Sequence, residues 1–234
     1  MALPKLETPK YTLTIPSTDE KIKYRPFLVK EQKRMMIAQE SEEDQQIIDA
    51  MKQLINDCTF KKIDAEICPL FDAEYIFLKI RSKSVGESIT VNVTCPDDEE
   101  TKVEKEIKID DIKVSVFDDH TNEVEITDNI KMVFDYPLLS SFAKYGNAKQ
   151  SEMTFTVIND CIKEIHHGDE IHNKKDMTEK ELSEFIDSLN TEQFKKVMGF
   201  FDTMPKLRHV VEVENPKTKV KSEVALEGIR SFLV

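Results

Sequence analysis

Two well-separated stretches of this chain spell the same alternating pattern, and that repetition constrains the fold more than any other feature. The first runs V-N-V-T-C-P-D-D-E-E-T-K-V-E-K-E-I-K-I-D-D-I from Val91 to Ile112. The second runs V-E-V-E-N-P-K-T-K-V-K-S-E-V-A-L-E-G-I from Val211 to Ile229. With a three-residue deletion in the second turn, the Pro, the Thr-Lys-Val run, a Glu, the aliphatic positions and the final Ile coincide. Alternation of apolar and polar residues turns one strand face to a core and the other to water, and the Pro-containing segment between supplies a turn. Each stretch therefore reads as a β-hairpin, and Ile89, Val91, Val93, Val211 and Val213 are expected to face a core. Each also follows a segment of helical spacing. We read a degenerate internal duplication of one helix-plus-hairpin unit, against a background in which V-x-V and Lys/Glu alternation is common in solvated hairpins.

The remaining segments fill in an α+β chain with an N-terminal β-hairpin. Tyr11–Ile15 and Ile22–Arg25 alternate around the turn residues Pro16 to Glu20. From Val29 the period changes: Met35, Met36 and Gln39, then Ile47, Ile48, Met51, Leu54 and Ile55, recur at helical spacing, with Ser41 to Asp44 between two helices. A third helix is expected to begin near Asp72, to carry Tyr75, Ile76, Leu78, Lys79 and Ile80, and to end before Val85-Gly86. In the second half, helices are expected over 151–166, 178–189 and 191–202, with Thr178/Glu181 and Thr191/Gln193 as capping chemistry. The segments are 1–28, tail and hairpin; 29–117, helices and the first hairpin; 118–147, an irregular connector holding a strand at Ile130–Phe134; and 148–234, helices and the second hairpin.

Composition excludes several functions. The 234 residues carry a net charge of −12, with 39% apolar and 33% charged residues. Nucleic-acid affinity comes largely from clustered Lys and Arg, and here the lysines are interleaved with acids, so no nucleic-acid partner is expected. The N-terminus lacks the apolar run of a signal peptide, and no stretch is long and apolar enough to span a bilayer. Four scattered cysteines, Cys58, Cys68, Cys95 and Cys161, read as free thiols packed as small hydrophobes.

Catalytic chemistry finds no support. The cluster His166-His167-Gly168-Asp169-Glu170-Ile171-His172 lacks the H-E-x-x-H spacing of a zinc helix and reads as a helix terminus, with His near the negative end of the dipole and Gly beyond it. Cys95-Pro96 resembles half of a zinc knuckle, but Asp98 stands where a second thiolate would be, and Asn215-Pro216 brings no cysteine. Nucleotide-binding and hydrolase glycine motifs are missing. No catalytic residue, cofactor or metal ligand is therefore assigned. The alternative is a zinc-dependent enzyme or zinc-stabilised module using the His166–His172 and Cys95 regions.

The run Y-x-L-x-I-P-S-T…I-K-Y-R-P-F-L-V-K-E-Q-K from Tyr11 to Lys33 is followed by A-Q-E-S, I-N-D-C-T and F-D-A-E-Y-I-F-L-K-I-R-S-K-S-V-G-E from Phe71 to Glu87. With the closing F-F-D-T-M-P-K-L-R-H…N-P-K-T…L-E-G-I-R-S-F, these residues resemble the baseplate hub assembly proteins of T-even-type contractile-tailed phages. The resemblance covers most of the chain and is strongest over 11–95. It implies a late, non-enzymatic structural protein or assembly chaperone of the tail baseplate hub. Its setting would be the host cytoplasm during assembly or the virion tail, its partners other hub proteins, with a homo-oligomer left open. The family pattern includes a C-P-x-C turn, so Asp98 puts a zinc role in doubt. The expected partner-binding residues are Arg25, Lys30, Lys33 and Arg34 on the first helices, and Phe232 and Leu233 in the apolar C-terminus.

Overall fold

The computed structural model describes residues 6–145 and 150–232. In chain order it holds β1 (Tyr11–Thr14), β2 (Lys21–Tyr24), α1 (Val29–Glu40), α2 (Asp44–Cys58), α3 (Leu70–Ser84), β3 (Ser88–Thr94), β4 (Lys102–Lys108) and β5 (Lys113–Ser115). There follow β6 (Glu123–Thr127), β7 (Ile130–Phe134), α4 (Phe142–Tyr145), α5 (Gln150–Cys161), β8 (Ile162–His167) and β9 (Glu170–Asn173). The chain closes with α6 (Glu179–Asp187), α7 (Thr191–Thr203), β10 (Lys206–Glu214) and β11 (Lys221–Glu227). The fold class is α+β, as expected. Contacts divide the chain into two units, one of Met1–Ser115 with Lys206–Val234 and one of Val116–Pro205. The hairpin β10–β11 thus shares a unit with β3–β4 and not with the helices that precede it in sequence. The boundary expected near residue 147 lies outside the described residues.

The discontinuous unit is built around α3, whose 15 residues include nine that are buried. A helix apolar around most of its circumference needs cover on several sides. Here α2 lies against one side, and β5, β10 and the turn after β4 lie against others. The pairs β1–β2 and β3–β4 are separate antiparallel ribbons, and β11-β10-β5 form a three-stranded sheet. Ile89, Val91, Val93, Val211 and Val213 are all buried, which is the alternation doing what its period requires. Beyond β4 and beyond β11 the chain makes one 3-10 turn, Ile109–Asp111 and Ile229–Ser231. Each turn buries a pair three residues apart, Ile109 with Ile112 and Ile229 with Phe232.

Three hairpins in this unit share one turn. Each opens with a residue before proline: Ile15-Pro16, Cys95-Pro96 and Asn215-Pro216. Four places on, Asp19, Glu99 and Lys219 adopt positive φ of 56°, 56° and 66°. Their amides donate back to the Ile15, Cys95 and Asn215 carbonyls at 2.9, 3.0 and 2.9 Å. Proline presets φ for the first turn position, and the positive φ lets the strands re-pair. Only the second and third turns are flanked by strands long enough to share a sequence pattern, the first having strands of four residues each.

The second and third turns are tied together at their tips. Buried Asn215 donates its Nδ2 to both carboxylate oxygens of Asp97, at 3.1 and 3.0 Å. Its own Oδ1 accepts from the Lys217 amide at 2.9 Å. The Thr218 hydroxyl also donates to Asp97, and together Thr218 and Asn215 hold this carboxyl below the usual range. Asp97→Ala would take two acceptor oxygens from the buried Asn215 amide. The expected result is a lower melting temperature with faster hydrogen exchange at the amides of 215–220. Unchanged exchange there would show that the tips hold without the tie.

The Val116–Pro205 unit is a meander in the order β6-β7-β8-β9. Its core joins Ile126, Met132, Phe134, Ile158, Ile162 and Ile165 to Leu182, Ile186, Val197 and Phe200. Phe134 stacks on Phe200 with ring centroids 4.9 Å apart. The segment expected as an irregular connector supplies β6 as well as β7, so it forms a hairpin. At Thr178 the expected capping box is present: Thr178 Oγ1 accepts from the Glu181 amide while Glu181 accepts from the Thr178 amide. For α7 the cap is Asn190 and not Thr191, with Gln193 returning the bond.

One helix expectation is overturned. The helix read over 151–166 ends at Cys161, and Ile162–His167 is strand β8. Ile158, Ile162 and Ile165 have helical spacing and are all buried. A bulge produces the last interval: Phe134 pairs Ile162 while Val133 pairs Glu164, leaving Lys163 as the extra residue. The inserted residue puts Ile162 and Ile165 on one face, which a regular strand forbids. His166-His167-Gly168 therefore leads into a hairpin turn and not out of a helix. Gly168 (φ 59°) and Asp169 separate the paired His167 and Glu170, and a positive φ at the first of two turn residues is what a type II′ turn needs.

Candidate partner-binding surface

Helix α1 is preceded by Leu28, which has no side-chain acceptor to cap it. The carboxylate of Glu31 accepts from the Leu28 amide at 2.7 Å instead. Glu31 is buried, and Arg25 Nη2 donates to it at 2.9 Å while Lys30 Nζ approaches to 3.2 Å. Burial alone would raise the Glu31 carboxyl, but Arg25 and the Leu28 amide hold it below its ordinary value. Arg25 also donates to the Pro26 carbonyl at 2.9 Å, so its side chain is committed to this corner. Of the other expected contact residues, Lys30 is largely exposed and Lys33 is exposed. Arg34 reaches Asp57 at 3.5 Å with 40% of its side chain open.

Those basic residues share α1 with uncovered apolar ones. Val29, Met36 and Ile37 are 79%, 51% and 54% exposed. With Lys33 they occupy positions i, i+4, i+7 and i+8, a single helix face. The C-terminal expectation meets a different arrangement. Phe232 is fully buried in its own unit, and Leu233 lies outside the described residues. Ile229 donates its amide to buried Glu74 at 2.9 Å, so this end of the chain is anchored on α3.

A model of the family described as T4 bacteriophage base plate protein matches residues 8–234. The chain belongs to that family. No curated protein and no solved structure was matched. Membership of this baseplate family places the chain among the components of a phage tail, with other baseplate proteins as its neighbours. Among the described residues, no helix is long and apolar enough to cross a membrane.

Within this baseplate protein, the residues that suggested metal chemistry are otherwise engaged. Cys95 is buried, and burial with the nearby Asp97 and Asp98 charges raises its thiol. Asp98, at the second knuckle position, accepts from the Thr101 amide at 2.9 Å and from the Thr101 hydroxyl. These bonds hold the Asp98 carboxyl well below its usual range. One buried thiol and a carboxylate spent on its own turn do not fit a four-ligand zinc site. His167 and His172 line a cavity of about 350 Å³ with Ile130, Ile165, Met177, Glu181 and Phe185. Glu181 there is already the α6 capping carboxylate. Among the described residues, no group of three or more His, Cys, Asp or Glu is placed to hold a metal ion.

Proposed function

We propose that this baseplate protein is a non-enzymatic component of tail hub assembly that acts by holding other baseplate proteins through its α1 face. The observation that carries the reading is the strip Val29, Lys33, Met36 and Ile37, apolar and basic together on a chain of net charge −12. A surface helix ordinarily turns its apolar residues inward, and uncovered apolar residues rimmed by charge are what an interface presents. Lys30 and Arg34 flank the strip and would select an acidic partner surface.

Quantitative mass spectrometry of purified virions beside infected-cell lysate tests the reading. A fixed ratio to other hub proteins in the particle makes the chain a structural subunit, and abundance in lysate alone makes it an assembly chaperone. Failure to associate with any tail protein in either fraction sinks the proposal. Lys33→Glu is expected to weaken that association while changing stability by no more than about 0.5 kcal/mol, as is usual for surface substitutions. Normal association of this variant would move the contact elsewhere.

A further inference from the structure

Beside the α1 strip runs a groove that holds an unanswered positive charge. Its volume is about 280 Å³, and Phe27, Met35, Met36, Leu54, Phe77 and Val85 make it apolar. Gln32 and Gln39 of α1 and Arg81 of α3 are its polar lining. Met36 and Val85 at the mouth are 51% and 63% exposed, while Leu54 and Phe77 form a buried floor. All of these residues belong to the discontinuous unit.

Arg81 is the anomaly. Its Nη1 is buried without a hydrogen-bond partner, and among the described residues no carboxylate stands within ion-pair distance of it. Burial lowers its affinity for the proton, with no neighbouring anion to offset that effect. Elsewhere in the same unit the buried charge of Glu31 is fully answered by Arg25 and the Leu28 amide. Leaving a partly desolvated guanidinium unanswered costs free energy that a carboxylate would recover, and more strongly once water is excluded. The two helical walls, α1 and α3, form the kind of trough into which an amphipathic helix fits.

We propose that this groove docks a helix of another tail protein, whose apolar side chains fill it and whose Asp or Glu side chain pairs with Arg81. This deepens the assembly role proposed above and rests on it. The adaptable Met35 and Met36 suit such a contact, since unbranched thioethers conform to a partner's shape. Two glutamines along the rim offer further hydrogen bonds to its backbone or side chains.

The test places the photo-crosslinking residue p-benzoylphenylalanine at position 36 of the full-length chain, in infected cells. The expected product is a crosslink to a helical segment of another tail protein carrying Asp or Glu. Arg81→Gln is expected to reduce its yield roughly tenfold or more, as removal of one member of a desolvated charge pair should. Thermal melting of the purified variant checks that it folds. If it does not, Val85→Asp at the exposed rim supplies the same test by repelling the partner carboxylate. A crosslink to a second copy of this chain, a crosslink within the chain, or a yield unaffected by both variants overturns the groove proposal. If the chain still associates with tail proteins but position 36 captures nothing, the groove proposal and the α1 contact face fail while the assembly role stands. If association itself is missing, the assembly reading fails with it.

Discussion

Arg25→Met is expected to destabilise the protein by about 3 kcal/mol at neutral pH, measured by urea unfolding. The reason lies in the Glu31 carboxylate, which is buried and 2.9 Å from the Arg25 guanidinium. Removing one member of a buried pair leaves the other charge desolvated, and the usual loss is about 3–5 kcal/mol. The lower end applies because Lys30, 3.2 Å from the same oxygen, and the Leu28 amide remain. The double variant Arg25→Met/Glu31→Gln should recover much of the loss, since the stranded charge is then gone while the amide oxygen still caps α1. A double variant as unstable as the sum of the singles would show that the two side chains act independently. The expectation separates Arg25 from Lys33, whose reversal should alter binding and leave the fold intact.

Glu74→Gln is expected to stabilise the protein at pH 8 and to make little difference at pH 4.5. Burial pushes Glu74 up to about 7 from an ordinary value of 4.5, with one hydrogen bond from the Ile229 amide opposing the shift. The folded state therefore retains a proton that the unfolded state releases between those values. This group's contribution is fully favourable below about pH 4.5, declines as pH rises to about 7 and is level above that. At pH 8 the ionised carboxylate costs on the order of 3 kcal/mol, which the neutral amide avoids. Gln keeps an oxygen for the Ile229 amide, so the anchoring of the C-terminal turn on α3 survives. Thermal melts of both proteins across pH 4–8 should show a widening gap, and a gap that does not change with pH would contradict the assignment.

The first expectation depends on how the chain folds back at a turn and the second on a partner distant in sequence, and neither is written in a local period. Arg25 reads as one of four basic residues near the first helices, with nothing to distinguish it from Lys33. The exchange of Arg25 with Glu31 needs the chain to turn at Pro26 and bring a carboxylate six residues on beneath the guanidinium. Glu74 and Ile229 are 155 residues apart, and no pattern in either segment announces the other. Arg81 sits on α3 in a stretch whose helical spacing is plain, yet its lack of a counter-ion is a property of the assembled groove.

What the sequence determined by itself was local and periodic. Period two in 88–94, 102–108 and 211–214 specified hairpin strands with one buried face, because side chains in a strand must alternate. Helical spacing specified α1, α2, α3, α6 and α7 to within a few residues. Thr178 with Glu181 specified a helix start through bonds that close within one turn. The same reliance on period misread Ile162–His167, where a single bulged residue, Lys163, changed the spacing of buried side chains from two to three. Only the tertiary structure decided that β10–β11 returns to the first unit, that Asp97 meets Asn215 across the hairpin tips, and that Phe232 is core. Each of those outcomes is a choice among partners by burial and hydrogen bonding, and a partner more than a hundred residues away leaves no periodic trace in the segment that binds it.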